Sequence, residues 1–204
     1  MKRDVMRKIW SYINLVRTLP AIITLYSSGE KKIIQKDITR WIECLKIGHL
    51  NLSMLLYFNW LMVYYPEFRN VFYYRIKKSN FIVSKLLQIF YFPLSTLYIN
   101  TSCIGPGLYI QHGFSTIISA KTIGENCSIF QQVTIGYNGD YNPIIEDNVV
   151  ITAGAVVVGG INIGSNSVIG ANCLVSKSVP SNCTVAGNPA YIIKKSGIKT
   201  KRYL

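Results

Sequence analysis

IGENCSIFQQVTIG, residues 123–136, sets an isoleucine at every sixth position: Ile123, Ile129 and Ile135. Upstream the same step returns to Ile117, Ile110 and Ile104, with one slip of a single residue between Ile110 and Ile117. Downstream, after an interruption, it resumes at Ile145, Ile151, Val157, Ile163, Ile169 and Val175 without a slip. The next position is glycine at Gly105, Gly124, Gly136, Gly164 and Gly170. Four positions after the aliphatic residue stands a small or apolar one, among them Cys127, Val133, Val149, Ala155, Ser167 and Cys173. A period of six matches neither the 3.6 of a helix nor the twofold alternation of a hairpin strand. It fits a solenoid of short strands that turns a corner every six residues. The aliphatic residue is expected to point into a shared core, and the glycine to relieve the backbone at the corner.

Outside that region the texture changes. Up to about residue 95 the apolar positions of Ile9–Leu25 and Ile38–Met62 recur at three- and four-residue steps, which predicts helices. Pro66, Pro93 and the polar patch Ser27–Lys32 punctuate them. The chain has 204 residues, half of them hydrophobic and 15% charged, so it can bury a core plus a helical appendage. The organisation expected is a helical domain over 1–95, a β-helix over 96–190 and a basic tail over 191–204.

The net charge of +13 belongs to the two ends. Residues 1–85 hold fifteen Lys/Arg against five Asp/Glu, and the last fifteen residues add five basic residues and no acid. Residues 100–189 hold only Lys121 and Lys177 against Glu125, Asp140, Glu146 and Asp147. A nucleic-acid module carries its basic stripe on its folded face, so no nucleic-acid partner is expected. FRNVFYYRIKKSNFIVSKLLQIFYF, residues 68–92, has two readings: a helix whose basic side chains pass a buried aromatic face, or a surface helix on anionic lipid. Ile47–Pro66 lacks charged side chains, but His49, Asn51, Ser53 and Asn59 make it read as a buried helix rather than a span. Met1–Lys36 has no long apolar run before a small-residue cleavage site, so no signal peptide is expected. Five scattered cysteines without a C-x-x-C pair, and only two histidines, argue against disulfides or a zinc site and for a reducing compartment. The expected location is therefore cytoplasmic, with peripheral membrane contact through the basic N-terminal region. Cys127 and Cys173 read as compact core fillers, and no catalytic cysteine is expected.

Four stretches, IGPGLYIQHG (104–113), IGENCSIFQQVTIG (123–136), ITAGAVVVGG (151–160) and SVPSNCTVAGNPAYIIKK (178–195), resemble the hexapeptide-repeat acyltransferases. They look most like the serine acetyltransferase branch with its relatives in polysaccharide biosynthesis. The resemblance implies a left-handed parallel β-helix following the helical region, against the usual right-handed crossover. It also implies a homotrimer or a dimer of trimers, with the active site in a groove between subunits. Acetyl-CoA is the implied cosubstrate, and no metal is implied.

By that resemblance His112 matches the general base, since a neutral imidazole can take the proton of an acceptor hydroxyl. The hydroxyl would attack the thioester directly, without an acyl-enzyme. A backbone N–H at or near Gly136 would stabilise the oxyanion. Ala153 and Ala171 match positions along which CoA lies, followed by Asn188 and Pro189, with Lys194 and Lys195 as partners for its phosphates. The interruption GYNGDYNPI, residues 136–144, adds about four residues and suits a protruding loop over the acceptor site.

Three departures from the serine enzymes bear on the acceptor. Gln111 stands where they have an Asp before the histidine. Tyr141 and Asn142 replace their Arg-His pair, and Leu97 or Tyr98 fills the place of an Asp that orients the base. A serine zwitterion needs charged partners, whereas a neutral sugar needs hydrogen bonds and stacking surfaces. Gln111, Tyr137, Asn138, Tyr141 and Asn142 supply the latter, so the sequence-based expectation is O-acetylation of a sugar hydroxyl in surface polysaccharide biosynthesis. L-serine O-acetylation and a catalytically silent scaffold are the alternatives.

Overall fold

The computed structural model of the chain describes residues 2–77 and 79–204. It divides into two compact units, Met1–Leu94 and Ser95–Leu204.

The first unit is helical: α1 (Lys2–Ile13), α2 (Leu15–Ser27), α3 (Lys31–Leu45), α4 (Met54–Tyr64), α5 (Pro66–Lys77) and α6 (Phe81–Phe90). Local chemistry sets the ends. The Ser53 hydroxyl and the Asn80 side chain accept from the backbone N–H groups of Leu56 and Val83, capping α4 and α6. Pro66 opens α5, where its missing N–H costs nothing. The segment 47–66 is a 3₁₀ turn, Gly48–Leu50, followed by α4, whose residues Leu56 to Met62 are all buried. Among the described residues no helix is long and apolar enough to cross a membrane. Asn59, costly in hydrocarbon, is satisfied by protein instead: it accepts from Thr18 Oγ1 at 2.6 Å and donates to the Ser11 carbonyl at 2.5 Å.

Of the two readings of residues 68–92, α5 follows the first. Phe68, Val71, Phe72 and Tyr73 are buried, and Phe58 meets both Phe68 and Phe72 edge to face. Arg75 is no lipid-facing cation: it is 4% exposed and forks onto Asp37 through Nε–Oδ2 at 2.9 Å and Nη2–Oδ1 at 3.1 Å.

The second unit is the solenoid. Strands Leu97–Ile99, Thr116–Ile118, Thr134–Gly136, Val156–Val158 and Leu174–Val175 stack in parallel as its first face. Cys103–Ile104, Thr122–Ile123, Ile144–Ile145 and Asn162–Ile163 make the second. Tyr109–Gln111, Ser128–Phe130, Val150–Ile151, Val168–Ile169 and Cys183–Ala186 begin the third. This three-faced parallel coil is consistent with the left-handed β-helix implied above. Each face sends one aliphatic column inward, such as Ile110, Ile129, Ile151, Ile169 and Val185, all essentially buried. Burying such a side chain is worth about 1.5–3 kcal/mol, which makes these columns the main cohesion of the coil.

Two details differ from the repeat as read. The inward residue of the first face is Ile118, fully buried between Ile99 and Ile135, whereas Ile117 is 42% exposed. The glycines also serve another purpose than a left-handed corner. A Cβ on Gly105 would lie 2.7 Å from the Gly124 backbone, and one on Gly164 2.4 Å from the Ser181 nitrogen. They let successive coils approach. At this corner the left-handed conformation falls to Gly107, at φ 82°, and then to asparagine at Asn126, Asn148, Asn166 and Asn182, with φ between 56° and 60°. Cys127, Cys173 and Cys183 are buried fillers, and burial pushes the Cys173 thiol up from its ordinary value.

Residues 191–204, read as a basic tail, are two strands. Tyr191–Lys195 and Ile198–Tyr203 continue the third face in antiparallel fashion beyond Cys183–Ala186.

Candidate active site

His112 stands at the corner between the third and first faces, and that corner is longer than those above it. Four residues, 112–115, separate Gln111 from Thr116, where two, 131–132, separate the equivalent Phe130 from Val133. The ladder shows which residues are extra. Gln132 N donates to Phe114 O at 3.0 Å, Gly154 N to Gln131 O at 3.1 Å, and Asn172 N to Ala153 O at 2.9 Å. Phe114, Gln131 and Ala153 are therefore equivalent, and His112 with Gly113 forms an outward bulge. His112 adopts φ 58°, Gly113 is buried beneath it, and the Phe114 N–H closes the turn onto the His112 carbonyl. The imidazole is exposed and makes no hydrogen bond or ion pair among the described residues. Gln111, at the end of its strand, is half-buried.

Ala153 and Ala171 rise along the same corner, half-buried and exposed respectively. Coils are spaced about 4.8 Å apart, so Ala171 lies three coils, roughly 14 Å, beyond Phe114. The column continues to Gly187 at φ 95°, then to exposed Asn188 and Pro189, joined by a cis peptide bond. Lys194 is exposed opposite Thr184. Beside Pro189 lies a cavity of about 90 Å³, lined also by Ala190, Ser176 and Lys177. Lys177 donates from Nζ to the Leu204 carbonyl at 2.8 Å. Sequence reasoning passed over this lysine, although it is one of only two basic residues between 100 and 189.

Gly136, Tyr141 and Asn142 are elsewhere. His112 precedes the first face, whereas Gly136 ends it and leads into the loop 137–143 at the opposite corner. A Cβ on Gly136 would meet nothing closer than Thr134 Cγ2 at 4.0 Å, so its outer side is open. Tyr141 is 71% exposed. Asn138 N donates to Tyr141 O at 3.2 Å, and Asn142 Nδ2 to the Ser119 carbonyl at 2.6 Å, tying the loop to the coil. That bond commits the Asn142 amide nitrogen to the fold.

One solenoid thus groups the proposed residues in two places. His112, Gln111, Ala153, Ala171, Asn188 and Pro189 share one corner, and Gly136, Tyr141 and Asn142 share another. Among the described residues no cluster of His, Cys, Asp or Glu could hold a metal ion.

A six-residue period wound into a three-faced parallel coil, with a histidine on a bulged corner, defines a hexapeptide-repeat solenoid. The known proteins it is similar to are serine acetyltransferases. No protein-family model matches the chain. The serine acetyltransferase of Staphylococcus aureus strain Mu50 is 48% identical over 101 residues, covering 47% of this chain and 47% of its own. The match thus spans about half the length of the curated relatives. The Brucella abortus strain S19 serine acetyltransferase superposes on 91% of this chain and 76% of its own, with TM-score 0.65 and 26% identity. A structure of the Brucella abortus enzyme in complex with coenzyme A covers 89% and 74%, with TM-score 0.58 and 25% identity. The Neisseria gonorrhoeae serine acetyltransferase in complex with serine covers 84% and 72%, with TM-score 0.62 and 28% identity.

Proposed function

We propose that this protein is an acetyl-CoA-dependent O-acetyltransferase with His112 as general base and L-serine as acceptor. The observation that carries the reading is the 48% identity to a serine acetyltransferase over 101 residues. In the reaction, the neutral imidazole of His112 takes the acceptor proton as the hydroxyl oxygen attacks the thioester carbonyl. An N–H at or near Gly136 stabilises the oxyanion. The C–S bond then breaks, the new ester leaves, and the imidazolium returns its proton to the CoA thiolate. Coenzyme A runs along the His112 corner, where Ala153 and Ala171 leave room, toward Asn188, Pro189 and Lys194. Because His112 and Gly136 occupy different corners of one chain, the groove is completed by a neighbouring copy, as in a homotrimer or a dimer of trimers.

A sugar hydroxyl is the second reading. It is favoured by the residues that replace charged groups of the serine enzymes, Gln111, Tyr141 and Asn142; the relatives lend no support to a role in polysaccharide biosynthesis. The deciding experiment follows thiol release from acetyl-CoA with L-serine and with a panel of sugars. Saturable turnover of L-serine is expected; turnover of sugars alone overturns the acceptor assignment. Coenzyme A at about a hundred times its Kd should stabilise the fold by about 2.7 kcal/mol. No turnover and no such stabilisation would leave a silent scaffold.

A further inference from the structure

In the helical unit α2 buries Thr18, Ala21, Thr24 and Leu25 and turns its other side outward. That side is apolar: Val16 is 82% exposed, Leu19 52% and Ile23 59%. α6 buries Ser84 and Leu87 and exposes Leu86, Ile89 and Phe90 in the same way. The two helices are neighbours, since the Tyr91 hydroxyl that follows α6 donates to the Arg17 carbonyl of α2. At the end of α1, Trp10 is also half exposed, at 48%, whereas Trp41 and Trp60 are buried. Apolar stripes of this kind on adjoining helices mark an interaction surface rather than ordinary scatter.

The charge beside the stripes selects the occupant. Arg17 on α2 and Lys85 on α6 are exposed, with Lys8 on α1 half-buried and Lys77 exposed at the end of α5. Neither α2 nor α6 contains an Asp or Glu. A second copy that laid its own α2 and α6 on this face would bring Arg17 and Lys85 against their own like, with no acid on either helix to answer them. An anionic bilayer answers both features: aliphatic and aromatic side chains enter the boundary of the acyl chains, and the cations sit among the headgroups. We propose that α2 and α6 form a peripheral docking surface for anionic lipid. Trp10 lies at the membrane–water boundary, a position that suits an indole.

The test uses the full chain with vesicles of phosphatidylcholine alone or mixed with phosphatidylglycerol. Co-sedimentation with the anionic vesicles is expected to exceed that with neutral ones roughly tenfold or more, and to fall as salt is raised. Trp10 emission should shift to the blue on the anionic vesicles, and the shift should vanish in Trp10→Phe. The double variant Ile23→Glu with Ile89→Glu should lose vesicle binding while its helical circular dichroism and molar mass stay those of the parent. Equal binding to both vesicle types, or binding that survives the double variant, overturns the proposal. So does a parent that ignores vesicles while the double variant assembles into fewer copies, which would make the face a contact between chains. Should the double variant fail to fold, the parent's lipid preference and Trp10 emission decide.

Discussion

At the scale of single residues, His112 owes its position to backbone rather than to a partner. Two surplus residues push it out of the coil, and a left-handed φ of 58° aims it away from the ladder. Removing the imidazole should therefore cost chemistry and little else. His112→Ala is expected to lower kcat by roughly 10²–10⁴-fold. The melting temperature and the stabilisation by coenzyme A should persist, since the side chain is exposed. His112→Asn, which tolerates the left-handed region better than alanine, should be equally inactive and separates backbone strain from proton transfer. Steady-state thiol release and thermal melts check both. The histidine itself was legible from its motif. Its bulge was not, because a slip in a six-residue pattern does not say where the extra residues go.

The elements repeat that lesson. Ile117 and Ile118 are both aliphatic, and sequence alone favours the one that departs least from six. Pairing decides otherwise: Ile118 lies beside Ile99 and Ile135. The six-residue step was legible because burial imposes it on every coil. The asparagine column was visible in the letters too, one asparagine per coil at Asn126, Asn148, Asn166 and Asn182, yet glycine drew the attention as the usual left-handed residue. Its energetic weight can be measured at Asn148, an exposed position at φ 57°. Asn148→Val is expected to destabilise the solenoid by about 1–2 kcal/mol, whereas Asn148→Gly should be nearly neutral. Denaturant melts of the two variants test this; a valine as benign as glycine would remove strain as the reason for the column.

For the whole molecule, what matters is that the two residue groups lie at separate corners. Sequence motifs give order along the chain but not the corner at which a residue emerges, so this division appears only with the register. It makes a prediction about mixtures. Chains carrying His112→Ala and chains lacking residues 138–141 should each be inactive alone. Co-assembled at equal amounts, they should regain about a quarter of the normal sites, since each site then draws one intact corner from either chain. An inactive mixture, with co-assembly shown by mass, would mean that both corners serve from the same chain. The strands Tyr191–Lys195 and Ile198–Tyr203 carry a different consequence. A column of parallel coils has an open end that could template growth by addition of further chains. Here the third face ends on a reversed ribbon whose outermost strand is exposed throughout and bears Lys199, Lys201 and Arg202. Another molecule bringing the opposite edge of this face, Tyr109–Gln111, to that rim finds exposed cations and the wrong strand direction, so this wall of the coil is closed to endless fibre growth.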